Sequence, residues 1–130
     1  MFKDPGLSIL QIGGYDRGVT DSLLSTLKAE LPGQALSSKI VLLDSSQEAL
    51  VQIRQQYEAE SSIVDAMHFD VEKPLPSEVR RDDGFDVVLV AIDHGLDDMS
   101  KQNLLAEAQN VLKAGGIFVV FDTLRAITER

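Results

Sequence analysis

Cysteine and tryptophan are missing from this chain altogether. Without cysteine there is no disulfide framework and no thiolate metal site. Two isolated histidines, His68 and His94, are too few for a His-built metal centre, so no metal is expected. Basic residues are also scarce: 12 Lys and Arg face 21 Asp and Glu, for a formal net charge of −9. Non-specific nucleic-acid binding requires Lys and Arg to displace phosphate counterions, so DNA and RNA are excluded as direct ligands. No apolar run approaches the roughly 20 residues of a membrane span. The opening Met1-Phe2-Lys3-Asp4-Pro5-Gly6 lacks the apolar core of a secretory signal. A cytoplasmic protein with no membrane partner is expected, and its ligand is a small molecule or another protein. Acidity itself serves solubility.

What is present suits a single domain. The 130 residues, 44% apolar and 25% charged, can bury a real core. Ser8–Ile12 reads as a first strand. Over Val19–Leu31, Leu23, Leu24, Leu27 and Leu31 recur at helical spacing, and Pro32-Gly33 ends the helix. Lys39–Leu43 is a second strand, closed by Asp44. Ser45 or Ser46 caps the next helix, with Glu48 in its first turn and Leu50, Ile53 and Tyr57 on its buried stripe. Ile63–Phe69 is a weaker third strand ending at Asp70. Pro74-Leu75-Pro76 breaks the chain, and Ser77–Arg81 forms one short turn. Phe85–Ala91 is nearly continuous in apolar residues, as in a strand buried on both faces. Lys101–Lys113 reads as a helix with Leu104, Leu105, Ala108, Val111 and Leu112 inward. Ala114-Gly115-Gly116 stops it, Ile117–Phe121 is the fifth strand, and Thr123–Arg130 is a short tail.

Strands alternating with helices imply βαβ crossovers and a parallel sheet covered on both faces. Right-handed connections with one reversal give an α/β, Rossmann-like doubly wound sheet of order 3-2-1-4-5. Ligands in such sheets sit beyond the carboxyl ends of the strands, at the reversal. That crevice falls between the strands ending at Ile12 and Ala91. Ile117–Phe121 would lie at an open sheet edge, and apolar edges invite pairing. Further sequence, a neighbouring domain or a second copy is expected to cover it.

The crevice end of the first strand carries the sharpest signal. Gly13 and Gly14 stand where nucleotide-binding proteins place a G-x-G-x-x-G loop, but Tyr15 and Arg17 occupy the next glycine-compatible positions. A glycine loop works because bare backbone approaches the ligand with φ > 0. Gly13-Gly14 is therefore either a cofactor loop or a tight structural turn. Asp44 either caps the following helix or accepts hydrogen bonds from two ribose hydroxyls. Asp70, after the third strand, reads as a surface loop residue unless a ligand in the crevice reaches it. Asp86, at the far end of its strand, reads as structural. His94 follows the fourth strand at the crevice end. It is a general base suited to an acidic carbon or a solvated loop residue flanked by Asp93, Asp97 and Asp98.

Taken in order, these segments resemble the class I S-adenosylmethionine-dependent methyltransferases over about Leu7 to Asp122. The family's first motif, an acidic residue, an apolar residue and G-x-G-x-G, corresponds to Gln11-Ile12-Gly13-Gly14-Tyr15-Asp16-Arg17-Gly18. Phe85-Asp86-Val87-Val88 is similar to the F-D-x-V start of the fourth strand. Leu112-Lys113-Ala114-Gly115-Gly116 is similar to the L-x-P-G-G turn. The flavour is closest to C-methyltransferase domains of polyketide and fatty-acid-synthase-like megasynthases. Their I-L-E-I-G-A-G-T-G-G, T-D-x-S and L-D-I-E segments resemble Ile9–Gly14, Leu43-Asp44-Ser45-Ser46 and Phe69-Asp70-Val71-Glu72. The segment after their fourth strand resembles Ile92-Asp93-His94-Gly95. The resemblance implies S-adenosylmethionine as cofactor. It would lie against Gly13, Gly14, Asp44, Asp70 and Ile92, with His94 as base and an acyl-carrier-bound substrate.

The departures carry equal weight. Gln11 replaces the acidic residue that supports the loop in the family, Tyr15 and Arg17 fill glycine positions, and the family's terminal antiparallel hairpin is lacking. Mammalian fatty acid synthases carry a truncated pseudo-methyltransferase of this kind. Residues 1–130 are accordingly expected to be one methyltransferase-like domain excised from a larger protein, degenerate and structural in role, beside neighbouring synthase domains. The alternative is an active methyltransferase on a small or carrier-bound acyl substrate. A nicotinamide-dependent dehydrogenase fits the loop and Asp44 spacing less well.

Overall fold

The computed structural model describes residues 6–13, 18–33, 35–80, 84–92 and 96–122. In chain order the elements are β1 (Ser8–Ile12), α1 (Val19–Glu30), β2 (Lys39–Asp44), α2 (Gln47–Gln56), β3 (Val64–His68), β4 (Phe85–Ile92), α3 (Asp98–Asn110) and β5 (Leu112–Asp122). Short 3-10 turns occupy Ala35–Ser37, Glu58–Glu60 and Ser77–Val79. The strands form one parallel sheet of order β3-β2-β1-β4-β5, the expected doubly wound arrangement. No helix among the described residues is long and apolar enough to cross a membrane.

Side-chain parity along the strands sorts the core into two layers. Leu10, Ile12, Leu43, Val88 and Val90 face one way and meet Leu104 and Ala108 of α3. Ile9, Ile40, Leu42, Val64 and Leu89 face the other and meet Leu24 and Leu27 of α1 and Leu50 and Ile53 of α2. Ser46 caps α2, its hydroxyl accepting from the Ala49 N–H at 3.1 Å. Tyr57 buries its ring after α2 and donates its hydroxyl to Asp21 of α1, which ties the two helices on that face together.

Helix α3 and strand β5 differ most from expectation. Helix α3 lies three residues earlier than the Lys101–Lys113 reading, because Asp97 caps it: a carboxylate oxygen accepts from the Ser100 N–H at 2.7 Å. The Ala114-Gly115-Gly116 stop lies inside β5 as an irregularity, since Phe85 pairs with Leu112 while Val87 already pairs with Ile117. Gly116 is required there, because a Cβ would stand 2.7 Å from the Asp86 carbonyl oxygen. Asp86 itself accepts from the Ser8 N–H at 2.8 Å and the Lys113 ammonium at 3.0 Å. It fastens the starts of β1, β4 and β5 at the end of the sheet remote from the crevice.

β5 is the outer strand among the described residues, and Ile117 is 60% exposed. On the α1 side, Val87, Leu89, Val119 and Phe121 line an open groove of about 500 Å³ with Leu23 and Leu27.

Leu10 is wholly buried in the central strand. Leu10→Ala should cost about 2–5 kcal/mol, read as a lower urea midpoint. The hydrogen bond from the Ser100 N–H holds the exposed Asp97 carboxyl below the ordinary carboxylate range. Its folded value lies below its unfolded one, so its contribution is present above about pH 4. That contribution is lost as pH falls through the lowered value. Asp97→Asn keeps the cap and should flatten this acid limb in a thermal scan across pH.

Candidate functional site

The site is built where β1 has β2 on one side and β4 on the other, at the reversal of strand order. Gly13 is the first residue past β1 and has φ +72°. Its N–H donates to the Leu43 carbonyl at 2.8 Å, and a Cβ there would stand 3.3 Å from the Ala91 carbonyl oxygen. Positive φ and close approach together demand glycine. The turn is thereby wedged between the ends of β2 and β4.

From Gly13 a run of backbone bonds crosses the strand ends. After the Gly13–Leu43 bond, the Phe69 N–H donates to the Asp44 carbonyl at 2.9 Å. Gly13, Asp44 and Asp70 therefore lie along one rim of the sheet. The half-buried Asp44 carboxylate accepts the Ser46 N–H at 2.9 Å through one oxygen. It closes an Asx turn ahead of α2 rather than capping the helix, which Ser46 does. Asp70 makes the same motif, accepting the Glu72 N–H at 3.0 Å. In each aspartate the second oxygen has no hydrogen-bond partner among the described residues. Acceptor oxygens held by a backbone turn at strand ends suit hydroxyl or amino donors of a ligand. Ile92 is 4% exposed and packs with Ile12, giving the rim an apolar floor on the β4 side.

The expected residues Gly14 and His94, with Tyr15, Arg17 and Asp93, lie outside the described residues. His68 is exposed on β3. Among the described residues no three acidic or histidine side chains converge to hold a metal ion.

Sequence reading treated Gln11 only as a departure from a motif. Parity places it with Ile9 on the face under α1, 1% exposed. Its Nε2 donates to the Gly13 carbonyl at 2.9 Å, and its Oε1 accepts from the hydroxyl of the fully buried Thr20 at 2.9 Å. This amide links the end of β1 to the first turn of α1. The legible signal was a polar residue inside an apolar strand, followed by Thr20 in the first helical turn.

A parallel sheet of this order, with carboxylates at the ends of β2 and β3 along its rim, defines a Rossmann-like fold of the methyltransferase type. Residues 23–116 match the sequence profile of the family described as a methyltransferase domain, and the chain belongs to that family. It is 26% identical over 121 residues to the highly reducing polyketide synthase Preu1 of Preussia isomera, covering 93% of this chain and 5% of that protein. Its fold is similar to the trans-methyltransferase CalH in complex with SAH, at 25% identity and TM-score 0.69, covering 88% of this chain and 32% of that one. It is likewise similar to the DszA carbon methyltransferase, at 23% identity and TM-score 0.69, covering 92% and 29%. The chain thus spans about 5% of the length of the curated relative it matches.

Gly13→Ala places an L side chain in the left-handed region and should cost about 1–2 kcal/mol. Chemical denaturation measures the loss, and amide shifts should locate it at Gly13, Leu43 and Ala91.

Proposed function

We propose that this chain is the methyltransferase-fold unit of a polyketide- or fatty-acid-synthase-type megasynthase. In this reading it no longer transfers methyl groups, and it spaces or orients neighbouring catalytic domains. One observation carries the reading: a five-stranded parallel sheet stands beside a glycine motif whose later glycine positions hold Tyr15 and Arg17. Side chains at those positions replace the bare backbone that a cofactor's amino-acid end would approach. Residues 1–130 are then one domain of a larger cytoplasmic polypeptide. The apolar Ile117–Phe121 edge is where a neighbouring domain packs. A second copy is the weaker occupant, because two chains of net charge −9 repel each other.

The second oxygens of Asp44 and Asp70 favour one alternative, a working methyltransferase. Asp44 would hold ribose hydroxyls and Asp70 the adenine, with Ile92 beside the ring and Gly13 and Gly14 at the amino-acid end. S-adenosylmethionine would supply an electrophilic methyl group there. His94 would take the proton of an acceptor carbon, for instance in a carrier-bound β-ketoacyl chain.

Calorimetric titration with S-adenosylmethionine and S-adenosylhomocysteine, with amide shifts followed in parallel, decides between the two. The proposal expects no binding up to millimolar ligand by a folded domain. Micromolar binding with shifts at Gly13 and Asp44 would overturn it in favour of the enzyme.

A further inference from the structure

We infer that Gln11 is a positioning residue whose lack of charge fixes the crevice turn. Restoring the acidic residue of the family motif at this place would loosen the turn rather than repair it. The argument rests on bond polarity and is independent of whether cofactor binds.

The Gly13 carbonyl oxygen can only accept, so the group facing it must donate. That requirement orients the Gln11 amide with Nε2 toward Gly13, at 2.9 Å. Oε1 then faces Thr20, whose hydroxyl must act as donor, also at 2.9 Å. Gln11 is 1% exposed and Thr20 fully buried, so the bond between them is closed to water, while the bond to the half-buried Gly13 is part-buried. The flanking register partners on this face are Leu42 of β2 and Leu89 of β4, and α1 adds Leu24. Among the described residues no titratable side chain hydrogen-bonds to Gln11.

An ionised carboxylate in the same place has no donor. It would set one oxygen against the Gly13 carbonyl oxygen, in a buried and apolar setting. A protonated carboxyl has one O–H donor and one acceptor oxygen, and it reproduces the pattern of the amide. Burial and the facing carbonyl both favour that neutral form, so the folded pKa of a glutamate at position 11 lies above its unfolded value of about 4.3. The sign follows: the folded protein holds the proton longer, so stability falls as pH rises from the unfolded value toward the folded one.

The test compares thermal midpoints of wild type, Gln11→Glu and Gln11→Ala from about pH 4.5 to 8, with amide spectra of Gly13 and Thr20. Gln11→Glu should approach wild type at the acid end and fall behind by about 5 °C or more at the alkaline end. The Gly13 amide shift should move over the same range. Gln11→Ala should be lowered at every pH, with no such trend relative to wild type. A Gln11→Glu midpoint and Gly13 shift that follow wild type throughout would overturn the inference. If Gln11→Glu folds at no pH, Thr20 decides: Thr20→Ser should stay near wild type and Thr20→Val should drop, and equal midpoints for the two would overturn it. A titration with S-adenosylhomocysteine on the same samples reports on cofactor binding separately.

Discussion

A strand buried on both faces must leave its sheet without stranding a donor or acceptor away from water, and β1 meets that demand with one glycine and one amide. Gly13 turns in the left-handed region and gives its N–H to Leu43. Its carbonyl accepts from the Gln11 amide two residues back. Gln11 passes the link to Thr20 and so fixes where α1 begins relative to the sheet. The helix in turn covers Ile9 and Leu89 with Leu24 and Leu27. The crevice wall, the helix position and half the core thus share one hydrogen-bonded junction.

That junction explains how the fold persists while the loop chemistry departs from the motif. The sheet requires a donor toward the Gly13 carbonyl and a partner for Thr20, and an amide supplies both internally. Among the described residues, both of these bonds are made within the chain. The strand-end aspartates tell a similar story. Each uses one oxygen to close the turn that follows its strand, a role that serves folding, and leaves the other directed to no described partner. Carboxylates that stabilise a turn hold their places whether or not a nucleoside is ever bound. Their presence is therefore weaker testimony to catalysis than it would be if their only partners were ligands. Asp86 does the equivalent work at the opposite end, joining β1, β4 and β5 through Ser8 and Lys113.

Much of this was legible in the chain. The buried runs at Ile9–Ile12, Ile40–Leu43 and Phe85–Val90 permit few arrangements other than central parallel strands. Alternation with helices then forces the crossovers and the 3-2-1-4-5 order. A cap at Ser45 or Ser46, which the structure assigns to Ser46, and Asp86 as a structural residue were also readable, because strand-end position determines their neighbours. The start of α3 was misplaced because apolar periodicity begins at Leu104, whereas the helix starts at its cap, Asp97. The Ala114-Gly115-Gly116 stretch reads as a helix stop because glycines end helices. Here they admit a close backbone approach within β5 instead, which depends on a partner strand some thirty residues away in sequence. Gln11 was visible only as an irregularity, since its meaning lies in a carbonyl two residues on and a hydroxyl nine residues on, brought together by the turn.

The central claim is that the β1 turn is built by the chain itself. Amide hydrogen exchange at Gly13 tests it most directly, measured in the free protein and again with millimolar S-adenosylhomocysteine. The account predicts that the Gly13 N–H, bound to Leu43, exchanges as slowly as the interior amides of β1 in the free protein and is unchanged by the ligand. Fast exchange in the free protein that becomes slow when ligand is added would contradict it, because the ligand would then be what completes the turn.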